Sequence, residues 1–391
     1  MMKKVPKRRF KGFLNAGDWE QRKLGDVVKR ESVTQVSSTE YPAIEYEDVI
    51  PETGQLNKDI YKKGVQKAGI LFDANKVLYG KLRPYLHNWV APMYKGVAVG
   101  DWWVLNPCGL DRGFLYTLIQ TVKFDTIANQ STGSKMPRAD WKLLSTTEFS
   151  IPSLDEQIKI GKLVEGLNDY ITLHQRKLEK LQATKKALLY ELFPIENSRR
   201  PKRRFKGFTD DWEQRKLGEA ATVEMNKRIF KEQTSSEGEV PFYKIGTFGG
   251  AADSYISRDL YEEYKKKYPY PNSGDILISA SGSIGRTVVY NGEEAYFQDS
   301  NIVWLNHEGR INNSFLLQFY NVVKWSGLEG STIKRLYNKN ILETPILLPK
   351  LEEQQLIGGF LKLVDDNITL HQRKLEKLKN LKAAYLNEMF V

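Results

Sequence analysis

One eleven-residue stretch, Ile-Thr-Leu-His-Gln-Arg-Lys-Leu-Glu-Lys-Leu, occurs twice without a change, at residues 171–181 and again at 368–378. Outside it, Leu154-Asp-Glu-Gln corresponds to Leu351-Glu-Glu-Gln and Glu191-Leu-Phe to Glu388-Met-Phe, so about forty residues recur at a constant offset of 197. In the first copy Ile160, Val164, Leu167, Ile171, His174, Leu178, Leu181, Lys185, Leu188 and Leu192 advance by alternating fours and threes. That spacing is a heptad seam on one face of a helix. No glycine or proline interrupts it between Leu167 and Phe193, and Pro194 stops it. A surface helix with a core-facing stripe explains most such patterns, but exact duplication favours two copies that pack on each other. The pairing positions are then Ile171, His174, Leu178, Leu181 and Leu188 on one helix and Ile368, His371, Leu375, Leu378 and Tyr385 on the other. The polar seam residues, His174 with Lys185 and His371 with Lys382, fix register at some cost in stability.

A second repeat frames the first. Pro6-Lys-Arg-Arg-Phe-Lys-Gly-Phe13 returns at 201–208, and Trp19-Glu-Gln-Arg-Lys-Leu-Gly25 returns at 212–218. The chain thus divides into a basic segment (1–18), a first variable domain (19–150), a helix (151–194), a basic linker (195–211), a second variable domain (212–348) and a second helix (349–391). Repeats this long indicate duplicated domains, since solenoid units are far shorter. At 391 residues each half is large enough for its own core.

In the first variable domain, Gly69-Ile-Leu-Phe, Lys76-Val-Leu-Tyr and Val97-Ala-Val read as strands, and Asp111 to Val122 as a short amphipathic helix. In the second, Gly274 to Gly285 reads as strand, glycine turn and strand, and Ser314 to Trp325 parallels the helix of the first. The expected class is α+β: two pseudo-two-fold-related globular α+β domains separated by two long antiparallel coiled-coil helices. If the halves obey a two-fold relation, the end of the second helix approaches the start of the chain, and each variable domain takes an opposite end of the pair. The 27 uninterrupted residues from Leu167 to Phe193 span roughly 40 Å at ~1.5 Å per residue, close to the roughly 34–36 Å between major-groove sites one turn apart.

Few residues suggest catalysis. No Gly-x-x-x-x-Gly-Lys-Ser/Thr phosphate loop exists, which argues against nucleotide hydrolysis. Asn106-Pro107 is followed by Cys108-Gly109, which departs from the Asn-Pro-Pro-aromatic loop of amino-methyltransferases. Glu263-x-Lys265 with Asp253 has the residue types of a metal nuclease, but in a run rich in lysine and glutamate it reads as a solvated helix end. His174 and His371 lack neighbouring ligands for a metal. The single cysteine, Cys108, reads as packed and inert, excludes an internal disulfide framework and fits a reducing compartment. The basic opening segment contains no apolar h-region and the chain no run of eighteen apolar residues, so the expected location is cytoplasmic.

Basic residues are the remaining signal. The net charge is +11 with pI near 9.3, which favours a polyanionic partner. Residues 1–30 hold ten Lys or Arg against three acids, and Arg199 to Lys206 is denser still; such clusters contact phosphates without specifying sequence, or simply solubilise a tail. Within the variable domains, Lys81, Arg83 and Tyr85 with Asn88, Lys135 with Arg138, Ser281 and Ser283 with Arg286, and Lys334 and Arg335 with Asn338 combine donors with turns and suit base edges and phosphates.

Constant helices with divergent domains between them resemble the specificity subunit of type I restriction-modification enzymes over nearly the whole chain. The resemblance rests on Trp19-Glu-Gln-Arg-Lys-Leu-Gly and its copy, Lys81-Leu-Arg-Pro-Tyr, Gly274-Asp-Ile-Leu-Ile-Ser with Gly282-Ser-Ile-Gly, and Pro-x-x-x-Glu-Gln before each helix (Pro152, Glu156, Gln157; Pro349, Glu353, Gln354). It implies two target recognition domains, each reading one half of a split double-stranded DNA site, and helices that serve as spacer and as docking surface for two methyltransferase subunits. It implies no catalytic residue, metal or cofactor on this chain. S-adenosylmethionine with the base-flipping adenine chemistry, and ATP with Mg, then belong to the methyltransferase and restriction/translocase subunits. The first domain departs from the pattern, showing Lys76-Val-Leu-Tyr-Gly-Lys81 where the second has Gly-Asp-Ile-Leu-Ile-Ser. An autonomous nuclease or methyltransferase would show itself as activity of the chain alone, and a coiled-coil adaptor with indiscriminate basic tails as equal affinity for target and scrambled DNA.

Overall fold

The computed structural model describes residues 5–62, 66–130, 135–195, 198–327 and 335–391. It forms two compact units: Met1–Leu178 with His371–Val391, and Glu179–Leu370. Each therefore contains one variable domain together with a part of each long helix.

In the first unit, Glu20–Lys23, the core of the Trp-Glu-Gln-Arg-Lys motif, pairs antiparallel with Glu148–Ile151 and so ties the start of the domain to its end. The main sheet orders Val28–Arg30, Trp102–Pro107, Val77–Gly80 and Trp89–Val90, all antiparallel. Val77–Gly80 is buried along its whole length, so it reads as an apolar run without alternation. A second sheet orders Thr34–Val36, Ala68–Phe72, Gly96–Ala98 and Ala43–Ile44, with the last pair parallel. The expected helix begins at Arg112, capped by the Asp111 side chain accepting from Phe114 N at 2.9 Å. It ends at Leu118, and a separate helix capped by Thr121, Val122–Ala128, follows it.

The second unit repeats this plan in divergent sequence. Glu213–Lys216 pairs with Pro345–Leu348, and the main sheet orders Thr222–Glu224, Ile302–Asn306, Ile276–Ser279 and Thr287–Val289. The parallel pair recurs as Val240–Tyr243 with Tyr296–Phe297, and the helix Asn313–Phe319 is capped by Asn312. The units differ around the second sheet, where the second has the helix Arg258–Lys267 and the first has the hairpin Val49–Ile50 with Gln55–Leu56.

The long helices run Leu154–Leu192 and Leu351–Glu388. Both begin well before the glycine-free stretch and pass through Gly161 and Gly358 because another backbone approaches there. A Cβ on Gly161 would lie 2.8 Å from Gly113 C, and one on Gly358 would lie 2.5 Å from Phe315 N. These are the points at which the short helix of each variable domain rests on its long helix. In the first unit the helices are antiparallel, since Ile160 shares a core with Met389 while His174 Nδ1 lies 2.7 Å from His371 Nδ1. The second unit shows the same sense: Lys185 meets Asp365 at 2.6 Å, and Leu192 shares a core with Ile357. Of the seam residues Ile171, Leu188 and His371 are buried, and Leu178, Leu181, Ile368, Leu375, Leu378 and Tyr385 are half-buried beside exposed neighbours.

The duplicated motifs now have physical roles. Trp19, Phe114 and Phe390 form an aromatic trio with centroids 5.5–6.3 Å apart, and Trp212, Phe315 and Phe193 form its counterpart at 5.2–6.0 Å. The Phe that ends one helix thus plugs the domain that precedes the other; Phe193 is buried, a contribution of about 1.5–3 kcal/mol, and Phe390 is half-buried. In the Pro-x-x-x-Glu-Gln motif, Gln157 donates to Pro152 O and accepts from Asp111 N, as Gln354 does with Pro349 O and Asn312 N. Glu156 takes a two-pronged bond from Arg9, both prongs at 2.8 Å, and Glu353 takes one from Arg204 at 2.7 and 2.8 Å.

Those ion pairs give two arginines of the basic segments a partner inside the protein instead of a phosphate. Arg9 and Glu156 are 4% and 1% exposed, and Arg204 and Glu353 15% and 0%, so these arginines are internal staples. Arg8 and Arg203 add bonds to Glu388 and Glu191 at the helix ends. Among the described residues, no helix is long and apolar enough to cross a membrane.

Candidate nucleic-acid interface

Among the described residues, the expected donors other than Asn88 fall into one loop pair per unit. In the first, the buried strand Val77–Gly80 delivers Lys81 to the surface, and the turn beyond it holds Arg83 and His87 with left-handed backbones, φ 48° and 53°. Tyr46 OH donates to Leu82 O at 2.5 Å and steadies the turn. The second loop docks on the first: Arg83 N donates to Pro137 O and Ala139 N to Lys81 O, at 2.7 and 2.8 Å. Lys81, Arg83, Tyr85 and Arg138 are thereby brought together, with Tyr85 54% exposed and Lys135 exposed nearby.

Asp101, absent from the sequence-based candidates, is the hub of this cluster. It receives both prongs of the Arg138 guanidinium at 3.1 Å and lies 3.6 Å from Lys81 Nζ. The hydrogen bond from Arg138 and the two cationic charges hold its carboxyl below the usual carboxylate range. A residue of this kind aims two cations whose exposed flanks remain free for an anion. The only sequence signal for it is its place before the Trp102-Trp103 strand. Asn88 is a correction: it is buried, 5% exposed, and its backbone carbonyl accepts from Gly80 N in the sheet. Pairing of its neighbour Trp89 with Tyr79 turns it inward, so it presents nothing to a surface ligand.

The second unit repeats the construction with other side chains. Ile276–Ser279 leads into a turn whose Gly282 and Gly285 have φ of 64° and 79°, values that suit glycine. Ser279 Oγ donates to Ser283 O and accepts from Arg286 N, closing the turn, and Arg286 is exposed at its edge. The docking bond recurs as Leu336 N to Ala280 O at 2.8 Å, which carries Arg335 and Asn338 to the same loop pair. Asn301 stands where the first unit has Asp101 and accepts from Ser281 Oγ at 2.8 Å. Arg335 donates to Ser300 O and lies 5.8 Å from the ring of Tyr337, itself 62% exposed and another residue the sequence reading passed over. Lys334 lies outside the described residues.

The residues that suggested a nuclease do not converge. Glu263 pairs with Lys267, Asp253 with Lys244, and Lys265 donates to Tyr261 OH. Asn106 donates to Glu31, and Cys108 is half-buried with its thiol 3.7 Å from Asn106 O.

Two α+β domains that share the strand order of the main sheet, each presenting an exposed loop pair rich in cationic and hydroxyl donors and each stapled to duplicated helices, define a duplicated recognition protein. The chain belongs to the type I restriction-modification specificity subunits: the family model of the type I restriction modification DNA specificity domain matches residues 16–183 and again 209–380, one target recognition domain in each half. A putative type I restriction enzyme specificity subunit of Haemophilus influenzae is 39% identical over 324 residues, 80% of this chain and 79% of that one. A type I restriction enzyme specificity subunit of Methanocaldococcus jannaschii is 25% identical over 287 residues, 68% of this chain and 66% of that one. In fold, the chain is similar to the crystal structure of an S subunit of a type I restriction-modification system from M. genitalium, with TM-score 0.67, 15% identity and 99% of each chain covered.

Proposed function

We propose that the loop pair of each unit reads one half of a bipartite double-stranded DNA target. The observation that carries this reading is the shared docking bond, Ala139 N to Lys81 O and Leu336 N to Ala280 O. It preserves one loop geometry in both units while the side chains on it differ, as readers of two different half-sites require. Cations such as Lys81, Arg138, Arg286 and Arg335 supply phosphate affinity and bidentate contacts to guanine, while Asn338 and the serines suit other base edges.

The helices set the spacing and dock two methyltransferase subunits, which bring S-adenosylmethionine; restriction/translocase subunits bring ATP and Mg, and the assembly acts in the cytoplasm. An outward apolar stripe supports the docking role: on the second helix Leu356, Phe360, Leu363 and Leu370 are 40–62% exposed at helical spacing, on the face not used by the seam. Catalysis resides in those partners. The test is to exchange residues 217–348 for those of a relative with another specificity and to map methylated adenines genome-wide. One half of the recognised sequence should change; a change in both halves, or in neither, refutes the assignment.

A further inference from the structure

The two units treat one seam lysine differently. In the second unit Lys185 is matched by the Asp365 carboxylate at 2.6 Å, and Gln318 donates to that carboxylate at 2.9 Å. The duplication offset of 197 carries Lys185 onto Lys382 and Asp365 onto Asn168. The lysine is retained in the first unit, but the carboxylate has become an amide, which accepts a hydrogen bond but carries no charge. Where the second unit holds its own ion pair, the first has a cavity of about 450 Å³ lined by both Asn168 and Lys382.

The walls define the chemistry. Ile50, Trp89, Val122, Ile171 and Leu386 give apolar surface. Two acidic groups stand at the rim: Asp125 accepts from Asn129 and lies 2.9 Å from His87 Nε2, and Glu52 lies 3.3 Å from His87 Nδ1. Lys382 has no ion pair among the described residues, Glu52 acting on it only through the field, and Lys379 adds a second positive charge. Burial lowers the Lys382 pKa to about 8, the response of an ammonium group short of a counter-charge. The rim is also held in unfavourable backbone: Glu52 and His87 are left-handed at φ 64° and 53°, joined by a bond from Glu52 N to His87 O at 3.0 Å. Strain of this kind in non-glycine residues persists where surrounding structure enforces it, and it clusters at ligand sites.

We infer that the first unit carries a binding site for a small organic carboxylate with an apolar body, its carboxylate pairing with Lys382 in the place that Asp365 fills for Lys185. The apolar walls select an aryl or alkyl monocarboxylate over inorganic phosphate, which has no apolar surface to bury against them. The amides of Asn168 and Gln175 are the neutral groups available to orient it.

The experiment uses the full-length chain and 2-naphthoate, with the uncharged 2-naphthamide as its isostere, by calorimetry at fixed ionic strength. In parallel, lysines are ¹³C-dimethylated and the Lys382 resonance, assigned by its loss in Lys382→Met, is titrated with pH. One naphthoate per chain is expected, with affinity at least tenfold lower for naphthamide, for Lys382→Met and for Asn168→Asp. The Lys382 titration should move upward when naphthoate is bound. Asn168→Asp is the decisive variant, because it supplies the missing carboxylate internally and should raise the melting temperature while it blocks the ligand. Equal binding of acid and amide, undiminished binding to Asn168→Asp, or no saturable binding to the native chain at millimolar naphthoate overturns the inference.

Discussion

Replacing Arg9 by Met tests whether the basic opening segment serves the fold or the DNA. The Arg9–Glu156 pair is two-pronged at 2.8 Å and almost wholly removed from water, with side-chain exposures of 4% and 1%. Removing the guanidinium leaves the Glu156 carboxylate buried and unpaired at the start of the long helix, at a cost of about 3–5 kcal/mol. It also frees the carbonyls of Ala16 and Gly17, which Arg9 holds at 2.8 and 3.1 Å. At about 2–4 °C per kcal/mol for a unit of this size, the first unit should melt about 6–20 °C lower. The double variant Arg9→Met with Glu156→Met removes both charges and should recover much of the loss, since apolar replacement of a buried pair is often close to neutral. Calorimetry of the three variants measures the coupling, and DNA binding over a salt series measures the alternative. If Arg9→Met melts with the native protein, or if its defect is a shallower salt dependence at unchanged stability, the segment is a phosphate clamp and the argument fails.

Adjacent glycines on the second helix should respond with opposite signs. Gly358→Ala places a methyl 2.5 Å from Phe315 N and 2.7 Å from Ser314 C, backbone atoms that cannot rotate aside, and should destabilise by about 1–3 kcal/mol. Gly359→Ala meets nothing within 4 Å and should stabilise by up to about 1 kcal/mol through helix propensity; chemical denaturation separates the two. The His174–His371 contact should give the first unit an acid-sensitive seam. One ring's Nδ1–H donates to the other's bare Nδ1, which requires a neutral ring, and burial, then the charges of Lys177, His174 and Lys374, push the His371 pKa below its ordinary 6.5. The neutral form is the one the fold favours, so this stability is present above about pH 6.5 and is lost as pH falls through the lower folded value. The melting temperature should therefore fall between pH 7 and 5 in the native chain and fall less in His371→Gln. Arg138→Ala should weaken binding to target and scrambled duplexes alike and reduce the salt slope by about 1 if Arg138 meets a phosphate, whereas loss of discrimination at one base position would assign it to base reading.

What could be read from the sequence, and what could not, divides along the range of the interactions. The long helices were legible because a 3.5-residue period is a local property, and exact duplication told which face to trust. The short helices were legible from the apolar spacing of the first and the likeness of the second to it, but both end sooner than that reading, at Leu118 and Phe319, and their starts are set by the caps Asp111 and Asn312. The buried strand Val77–Gly80 was found from its apolar run, but its neighbour Asn88 was misplaced, since polarity suggested a surface that the pairing of Trp89 with Tyr79 denies it. The arginine staples were unreadable for a different reason. Glu156 lies 147 residues from Arg9 and Glu353 149 residues from Arg204, and a run of Lys and Arg looks the same whether its partner is a phosphate or a distant carboxylate. The same limit hid Asp101, which matters only because the fold delivers Lys81 and Arg138 to it. The contrast between Lys185–Asp365 and Lys382–Asn168 is present in the sequence as one of many substitutions between the two helices at the 197 offset. In a seam read by hydrophobicity alone, aspartate and asparagine are equivalent. Only the antiparallel packing of each helix pair, which sets Asp365 against Lys185 in the second unit and Asn168 on the same cavity wall as Lys382 in the first, makes that one substitution a difference in buried charge.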